Sequence, residues 1–198
     1  MLTRWLFPDP TPDIRATGLI LRAPKPSDYV QWQQVREKSH AFLQPYEPRW
    51  SSRDLSRQVF DARLRRGLWN ARSGSEFSFL IFVVDDGAEK LSGGITLSNI
   101  RQRVSLHANV GYWMSVDAAG KGVMTRAVGA LLPFVFNQLG LHRLHAACLP
   151  HNTASRRVLE KNGFKEEGFA DHYLKIDGAW RDHVLYGLSR ERYEQFDV

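Results

Sequence analysis

The longest stretch of strict alternation between apolar and polar positions runs from Val104 to Val116. The apolar positions, which share one face at a spacing of two, are Val104, Leu106, Ala108, Val110, Tyr112, Met114 and Val116. Because successive side chains of a strand point to opposite faces, this period predicts a long β-strand. From Val123 to Leu139 the spacing becomes helical, which predicts a helix that is kinked at Pro133 and ends at Gly140.

The first third of the chain predicts one strand and two helices. Leu19–Arg22 is expected to be a short strand that two prolines close. Ser27 is expected to cap a helix running to about Ser39, because its hydroxyl can accept a hydrogen bond from a first-turn amide. The next stretch, "SHAFLQPYEPRW", contains two prolines and is expected to be a loop. Ser51 or Ser52 is then expected to cap a second helix along "RDLSRQVFDARLRRGLW".

The remaining patterns predict strands around one more helix. The stretches "FSFLIFVVDD" and "KLSGGITLSNI" are expected to pair around the Asp86–Gly87 turn, and "HRLHAACLP" is expected to be another strand. Asn152 is expected to cap a helix that stops at Asn162–Gly163. Two antiparallel strands around Asp177–Gly178 and a short terminal helix complete the order, which is mixed α/β with more antiparallel pairs than a doubly wound fold has.

Composition limits the class of protein. Of the 198 residues, 43% are apolar and 24% are charged, which argues for a packed globular protein and against disorder. The length fits one domain, residues 1–198, with a full hydrophobic core. Cys148 is the single cysteine, so an intramolecular disulfide is impossible and a reducing compartment is expected. The first residues lack the apolar segment of a secretory signal, and no apolar run has the length of a membrane span, so a cytoplasmic protein is expected.

Lysine and arginine exceed aspartate and glutamate by six. That surplus could serve a nucleic acid, an acidic ribosomal surface or a phosphorylated small molecule, and a solvated basic surface is the plain alternative. The densest basic stretch, between Arg63 and Arg72, is helix-like and has no interleaved aromatics, so direct readout of nucleic acid is not expected. The histidines lack ligand spacing with carboxylates or the cysteine, so no metal site is expected.

A glycine-rich turn joins the predicted long strand to the predicted helix. In "AAGKGVMT", Lys121 lies between Gly120 and Gly122, whereas a P-loop has its lysine after the last glycine. The dinucleotide fingerprint needs a third glycine, or an alanine, where this chain has Thr125. Two explanations stay open: a plain tight turn, and an anion site made by main-chain amides at a helix N-terminus.

Several motifs agree in order along most of the chain: "LQPYEPRW", "GYWMSVDAAGKGVMTRAV" and "LHRLHAACLPHNTASRRVLEKNGFKEEGFADHYLKIDGAWRDH". Together with the order of strands and helices, they resemble the GNAT superfamily of acetyl-CoA-dependent N-acetyltransferases, and within it the RimJ/RimL type of ribosomal-protein alanine N-acetyltransferases. The resemblance implies an α/β (α+β) fold, with a mixed, mostly antiparallel central sheet of about seven strands flanked by helices. It also implies acetyl-CoA as cosubstrate, without a metal.

The resemblance assigns coenzyme binding to one strand end, one turn and one helix cap. The residues expected to offer main-chain hydrogen bonds to the pantetheine arm are Met114, Ser115 and Val116. The residues expected to hold the pyrophosphate are Gly120, Lys121, Gly122, Val123, Met124 and Thr125. Asn152 is expected both to cap its helix and to contact the pantetheine arm. Asp117 departs from the Gln or Arg of the family pattern, which matters little where the contacts are backbone amides.

Amide-bond formation needs a base for the ammonium form of the acceptor and a proton for the leaving thiolate. The resemblance implies Ser155 as the proton donor, with an ordinary surface serine as the alternative. His172 stands where RimL-type relatives have a glutamate before the "YL" pair, and it is favoured over Asp171 as the base because histidine titrates near neutral pH. Glu47 is expected to bind the cationic N-terminus. The aromatics expected to wall the peptide channel, or else to belong to the core, are Tyr46, Trp50, Tyr173 and Trp180.

These assignments predict direct transfer of an acetyl group from acetyl-CoA to a protein N-terminal α-amine in a ternary complex. The expected partner is a ribosomal protein that starts with alanine or serine. Two alternatives stay open: acetylation of a small amine such as an aminoglycoside or a polyamine, and a non-catalytic coenzyme sensor or ribosome-assembly factor. Acidic residues lining the acceptor cleft would favour the small amine. A homodimer is left open.

Overall fold

One sheet organises the structure, of which the computed structural model describes residues 10–196. Its eight strands are β1 (Ile14–Ala16), β2 (Leu19–Arg22), β3 (Phe77–Asp85), β4 (Ala88–Arg101), β5 (His107–Met114), β6 (Arg143–Cys148), β7 (Lys165–Ile176) and β8 (Ala179–Ser189). They lie in the order β1-β2-β3-β4-β5-β6-β8-β7, and each neighbouring pair is antiparallel except the parallel pair of β5 and β6. The predicted mixed, mostly antiparallel sheet is confirmed; the sequence patterns did not indicate β1.

Six α-helices flank the sheet within the described residues: α1 (Tyr29–Lys38), α2 (His40–Leu43), α3 (Arg57–Arg72), α4 (Val123–Pro133), α5 (Thr153–Lys161) and α6 (Arg190–Phe196). Helices α1 and α3 contribute Trp32 and Phe60 to a smaller core on one face, and α4 and α5 contribute to a larger core on the other. Among these helices, none is long and apolar enough to cross a membrane. The expected absence of a secretory segment concerns residues 1–9, which lie outside the described residues.

Strand β5 has a different environment on each face. Tyr112 packs against the larger core, which contains residues of α4 and α5, whereas Trp113 packs against the smaller core of α1 and α3. Only the stretch from His107 to Asn109 pairs with β6. Beyond it, β6 continues beside β8 as far as Cys148, and the two parallel strands diverge. The second half of β5, which the sequence analysis assigned to ligand binding, therefore lies outside the β5–β6 ladder.

The observed β5 is shorter than the predicted strand from Val104 to Val116. Arg103 and Leu106 adopt positive φ angles of 67° and 34°, a region that is uncommon for residues other than glycine, so the chain turns there instead of extending. Val104 is fully exposed. The alternating pattern is therefore correct in phase and too long, because turn geometry overrides it at this end.

The N-caps predicted for the first two helices are wrong. Asp28, not Ser27, orders the start of α1, because its carboxylate accepts a hydrogen bond at 2.7 Å from the backbone amide three residues before it. Ser56, not Ser51 or Ser52, caps α3, since its hydroxyl accepts from a first-turn amide at 3.4 Å. The expected loop between these helices contains α2 and a turn of 3₁₀-helix.

The predicted distortion of the central helix at Pro133 is confirmed. Helix α4 ends there, and Phe134–Gln138 continues as a π-helical turn in which the Leu139 amide donates to the Phe134 carbonyl at 2.9 Å. A proline ring crowds the preceding helical turn, which favours such a change of helix type. Gly140 follows with a φ of 66°, as a residue that ends a helix in the left-handed region does.

Candidate active site

The turn before α4 presents the main-chain amides that the sequence analysis assigned to an anion. Gly120 and Gly122 have φ angles of 73° and 71°, a region that glycine adopts without strain. A Cβ at either position would meet nothing within 4 Å, so the main chain borders open space. The first intrahelical hydrogen bond runs from the Arg126 amide to the Gly122 carbonyl at 3.1 Å. The amides from Val123 to Thr125 therefore lie at the open N-terminus, where they and the helix dipole favour an anion.

The side chains around this turn have separate roles. Met124 is buried, so only its main chain is available to a ligand, and Lys121 is exposed. Arg126 donates to a carbonyl of the β1–β2 turn at 3.3 Å. Lys38 of α1 donates to Asp117 at 2.7 Å, and this hydrogen bond lowers the pKa of the Asp117 carboxyl. The residue that departs from the family pattern is thus paired with a lysine of the chain itself.

The backbone amides that follow β5, just before the glycine turn, form hydrogen bonds within the protein. The Ser115 amide donates to the Ser92 carbonyl at 2.8 Å, and the Val116 amide donates to Ser39 Oγ at 3.1 Å. The Ser115 hydroxyl accepts from the amide of Ala118 and caps a 3₁₀ turn. Both amides are therefore used within the protein, and the expectation that Ser115 and Val116 offer main-chain hydrogen bonds to the pantetheine arm stays a prediction that would fall to their carbonyls. These bonds hold the glycine turn against β4 and the end of α1.

Helix α5 begins where the sequence predicted, and its first turn carries the candidate acid. Asn152 Oδ1 accepts from the Ser155 amide at 3.0 Å, which confirms the predicted N-cap. The Ser155 hydroxyl lies 2.9 Å from the hydroxyl of Tyr112 on β5. It also contacts the thiol of Cys148, which is buried at the end of β6. Two hydroxyls and a thiol thus meet where β5 and β6 diverge.

Burial keeps both neighbours of Ser155 protonated. Burial raises the pKa of Tyr112, and the hydrogen bond with Ser155 opposes this only in part. Burial also raises the pKa of the Cys148 thiol, again against the effect of Ser155. A neutral tyrosine has one proton to donate. Tyr112 can therefore donate to the Ser155 oxygen and leave the Ser155 proton free for another acceptor.

On the opposite face of β5, a buried ion pair organises the segment that carries Glu47. Arg36 of α1 donates to the two carboxylate oxygens of Glu47 at 2.8 and 2.6 Å, and Trp50 Nε1 donates to the same carboxylate at 2.8 Å. The two charged side chains are only 8% and 19% exposed. The guanidinium also lies 4.2 Å from the ring centroid of Trp50 and 4.7 Å from that of Trp113. Glu47, expected to meet the cationic acceptor, is thus already paired with a cation of its own chain.

The turn between β7 and β8 packs against the same segment. The Asp177 amide donates to the Glu47 carbonyl at 2.9 Å, and the Gln44 side chain donates to Asp177 Oδ1 at 3.1 Å. The ring of Tyr46 lies 6.1 Å from that of His151, which follows β6. The segment before α3, the β7–β8 turn and the end of β6 therefore border one region.

The four aromatics assigned to the peptide channel divide into two pairs. Tyr46 and Trp50 belong to the segment around Glu47. Tyr173 and Trp180 lie on the β7–β8 hairpin, where both are exposed, and the Tyr173 ring contacts buried His183 at 5.7 Å. The first pair is part of the ion-pair region, and the second is a surface feature of the hairpin.

His172 occupies an irregular part of β7. Its φ is 48°, and the pairing with β8 shifts register around it. Its amide donates to Asp182 Oδ1 at 2.8 Å, and its side chain is 79% exposed. The choice of His172 over Asp171 assumed a regular strand, but the bulge leaves both side chains exposed. No contact recorded among residues 10–196 joins His172 to Ser155 or Glu47.

The sequence analysis missed three residues that the structure places in this region: Tyr112, Arg36 and Trp113. Tyr112 was assigned only to the apolar face of the strand. Arg36 lies four residues after Trp32, so both occupy the buried face of α1, and a buried arginine requires a partner. That spacing is the signal that could have found it. Trp113 presses on Gly94 of β4, where a Cβ would collide with the indole.

Comparison with known proteins agrees with this geometry. A model of the acetyltransferase (GNAT) domain matches residues 18–165. The [ribosomal protein uS5]-alanine N-acetyltransferase of Escherichia coli is 34% identical over 183 residues, which is 90% of this chain and 92% of the relative. "Probable N-acetyltransferase YjcK" of Bacillus subtilis is 38% identical over 120 residues, which is 61% of this chain and 65% of that protein's own length.

Solved structures show the same similarity. The structure of Mycobacterium smegmatis RimJ in complex with CoA-disulfide superimposes with a TM-score of 0.83 at 31% identity, and the match covers 91% of this chain and 87% of that one. The E. coli relative and the M. smegmatis structure indicate the RimJ type within that domain family. The chain belongs to the GNAT acetyltransferase family and is an N-acetyltransferase.

Proposed function

We propose that this N-acetyltransferase moves an acetyl group from acetyl-CoA to the α-amine of a protein N-terminus that begins with alanine or serine, and that its natural acceptor is a ribosomal protein. The observation that carries the proposal is the contact of the Ser155 and Tyr112 hydroxyls where β5 and β6 diverge, on the face of β5 that packs against α4 and α5. The E. coli relative, whose name specifies an alanine of uS5, supports the acceptor class. The whole chain is proposed to act as one domain.

Coenzyme A is a good fit for the turn and the cap beside it. The amides from Val123 to Thr125 and the open space at Gly122 suit a diphosphate. The main chain of Met114 and the side chain of Asn152 are proposed to position the pantetheine arm. When bound, acetyl-CoA supplies the activated acyl group. The complex of RimJ with CoA-disulfide supports this choice of ligand.

The chemistry needs only proton movement by the chain. The acceptor amine forms the new C–N bond as the C–S bond breaks, and Ser155 donates its proton to the leaving sulfur. The nitrogen loses a second proton as the amide forms, and this proton returns to Ser155 through the hydroxyl of Tyr112, which the 2.9 Å contact joins to it and which stays neutral overall. The proton of the acceptor ammonium is proposed to leave through water to His172. Burial holds Cys148 as a thiol, which is a poor nucleophile, so transfer is proposed to run directly between the two substrates in a ternary complex.

The charges that line the Trp113 side favour a peptide as the acceptor over a small polycation such as a polyamine. A cleft of about 680 Å³ borders Trp113, and its charged lining residues are Arg63, Arg66 and Glu76. Two cationic residues and one anionic residue repel a polyamine more than they attract it. The acidic lining that would favour a small amine is therefore not found in this cleft.

The test is acetyl transfer measured on defined acceptors. Purified protein and acetyl-CoA are incubated with alanine- or serine-starting peptides, with spermidine or with an aminoglycoside. The release of free thiol is measured over time, and the products are identified by mass spectrometry. We expect thiol release with the peptides and one acetyl group on the α-amine. The matched control is the same peptide with a blocked N-terminus, which should give no release. Acetylation of spermidine or the aminoglycoside alone, or no transfer to any acceptor, would reject the proposal.

A further inference from the structure

The cleft beside Trp113 has walls that the transfer reaction does not use. Its floor is formed by β3 and β4 with Trp113, and its wall is formed by the middle of α3. Gly67 of α3 faces it, and a Cβ at Gly67 would meet nothing within 4 Å. A missing side chain in the middle of a helix widens the cleft at that point, although glycine costs about 1 kcal/mol of helix propensity. The cleft holds about 680 Å³, which is room for several amino-acid residues.

The cationic lining of this cleft has electrostatic partners only at longer range, Asp54 and Glu47 in the case of Arg63. Arg63 and Arg66 make no ion pair with any residue in the described part of the chain. The one acidic lining residue, Glu76, accepts a weak hydrogen bond from Ser78 at 3.4 Å. The Arg63 guanidinium lies 5.6 Å from the ring centroid of Trp32, which fixes its position without neutralising it. Partial burial, with the repulsion of Arg36, lowers the pKa of Arg63.

The cleft is continuous with the acceptor region. Trp113 lines the cleft, and the same ring contacts Arg36 at 4.7 Å. Arg36 donates to both carboxylate oxygens of Glu47, so the charge of Arg36 is neutralised by that ion pair. Arg63 has no such contact pair: Asp54 and Glu47 act on its charge only from beyond ion-pair distance, so its guanidinium forks can take a ligand carboxylate. A peptide whose N-terminus enters the acceptor region beside Trp113 can extend along β4 into the cleft.

We propose that this cleft binds the polypeptide segment that follows the acetylated residue, and that Arg63 and Arg66 select an acidic side chain in that segment. This inference rests on the proposed function and adds a specificity determinant to it. A carboxylate of the acceptor would accept charge-assisted hydrogen bonds from the arginine forks, and these are stronger than neutral ones. The backbone of the segment would lie over the polar groups of Ser78 and Thr96 on the floor.

The experiment uses a series of alanine-starting peptides in which one aspartate moves stepwise along the residues after the alanine. Each is compared with the peptide that has asparagine at the same place. With the full-length protein, we expect one or two aspartate positions to lower KM about tenfold, with kcat unchanged. The double variant Arg63→Gln with Arg66→Gln should remove that preference, so that each aspartate peptide and its asparagine partner have the same KM.

The matched control is Arg65→Gln, which removes the same charge from the same helix at a residue outside the cleft. It should keep the full preference for aspartate. A second variant, Gly67→Leu, tests the shape independently of charge, and it should raise KM for every peptide about tenfold while leaving coenzyme affinity unchanged. Thermal unfolding of each variant checks that the fold is intact.

Failure of the cleft inference and failure of the proposed function give different results in these experiments. Acetylation of the peptides with equal KM for aspartate and asparagine at every position would overturn the cleft inference and leave the proposed function standing. Loss of the preference in Arg65→Gln as well would also overturn it, because long-range charge would then be the cause. If no peptide is acetylated, the proposed function fails, and the cleft inference is then tested by binding, measured as the anisotropy of fluorescent aspartate and asparagine peptides. Equal affinities for the two peptides would overturn the cleft inference. A preference for the aspartate peptide that the double variant removes would support it.

Discussion

On the Tyr112 face of β5, the groups proposed to bind ligands are main-chain amides and hydroxyl side chains, and most come from two short stretches, the turn before α4 and the first turn of α5. On the Trp113 face, they are long charged and aromatic side chains drawn from α1, α3, β5 and the segment around Glu47. The first kind of site depends on local backbone geometry, since positive φ at Gly122 and a cap at Asn152 suffice to build it. The second kind depends on distant parts of the chain meeting, as Arg36 meets Trp113.

This difference explains why the two sides suit different ligands. Backbone amides at a helix N-terminus are a general means of binding phosphate, and they tolerate changes of side chain. Side-chain clusters such as the one around Arg36 hold a shape and a charge pattern that can distinguish one acceptor from another. Conservative changes on the first face should therefore affect the coenzyme or the chemistry, and changes on the second should affect stability and the acceptor.

The largest effect is expected on the Tyr112 face, from Ser155→Ala. Loss of the proton donor should lower kcat about 100-fold while the dissociation constant of coenzyme A changes little. Steady-state kinetics and calorimetric titration measure the two quantities. Ser73→Ala, at an exposed serine that ends α3, is the control and should leave both unchanged. Equal kcat in Ser155→Ala and the unaltered protein would remove Ser155 from the mechanism.

The next effect is expected on the Trp113 face, from Arg36→Met. This change leaves Glu47 partly buried without its cation and should lower the free energy of unfolding by about 2 kcal/mol. Arg57→Met, which breaks the exposed pair with Asp61 on α3, should cost about 0.5 kcal/mol or less. Urea unfolding of both variants measures the difference. Similar losses in the two variants would show that the Arg36 cluster does not organise its face of β5.

A smaller effect distinguishes the amide-lined turn from an ordinary turn. Gly122→Val should weaken coenzyme A binding about tenfold, because valine strains a φ of 71° and projects into the space beside the amides. Gly87→Val, in the β3–β4 turn with a φ of 78° and equally open surroundings, carries the same strain. It should lower thermal stability without changing coenzyme affinity. The loop assignment fails if both variants bind coenzyme A as tightly as the unaltered protein.

The smallest effect is expected on the pH dependence of stability, at the end of β5 that pairs with β6. It concerns His145, a residue of β6. Burial, together with the nearby Arg143, lowers the pKa of His145. The unfolded chain, in which this histidine titrates near its ordinary value of about 6.5, therefore binds a proton more readily than the folded chain. Stability contributed by neutral His145 should be complete above that value and should fall as the pH drops below it.

His145→Gln should accordingly flatten the decline in the free energy of unfolding as the pH falls below about 6.5. Denaturant unfolding at a series of pH values measures the slope. An unchanged slope in His145→Gln would show that this histidine is not protonated at a cost to the fold.

The Tyr112 face could be predicted from the sequence in part, because its turn and helix ends are local, whereas the contact of Tyr112 with Ser155 joins distant residues and was missed. The cap of α5 at Asn152, the turn at Gly120 and the end of the central helix each depend on a few adjacent residues, and each was found. The bonds of the Ser115 and Val116 amides to Ser92 and Ser39 could not be predicted, because their partners are distant in the sequence.

The Trp113 face was largely hidden from sequence reasoning, and for the same physical reason. Glu47 was expected to bind the cationic acceptor, but its carboxylate is already paired with Arg36 of α1. His172 was chosen on the period of a regular strand, and a β-bulge with positive φ removes that period. Tertiary packing and bulges have weak local signals, so these contacts required the structure.

The most direct test of a coenzyme on one face of β5 and an acceptor on the other is a crystal structure with a bisubstrate analogue, in which coenzyme A is joined through an acetyl bridge to the α-amine of an alanine-starting peptide. The account predicts the diphosphate on the amides from Val123 to Thr125, the bridge beside Ser155, and the peptide on the side of Trp113. A diphosphate bound elsewhere, or a peptide lying on the same face as the coenzyme, would contradict it.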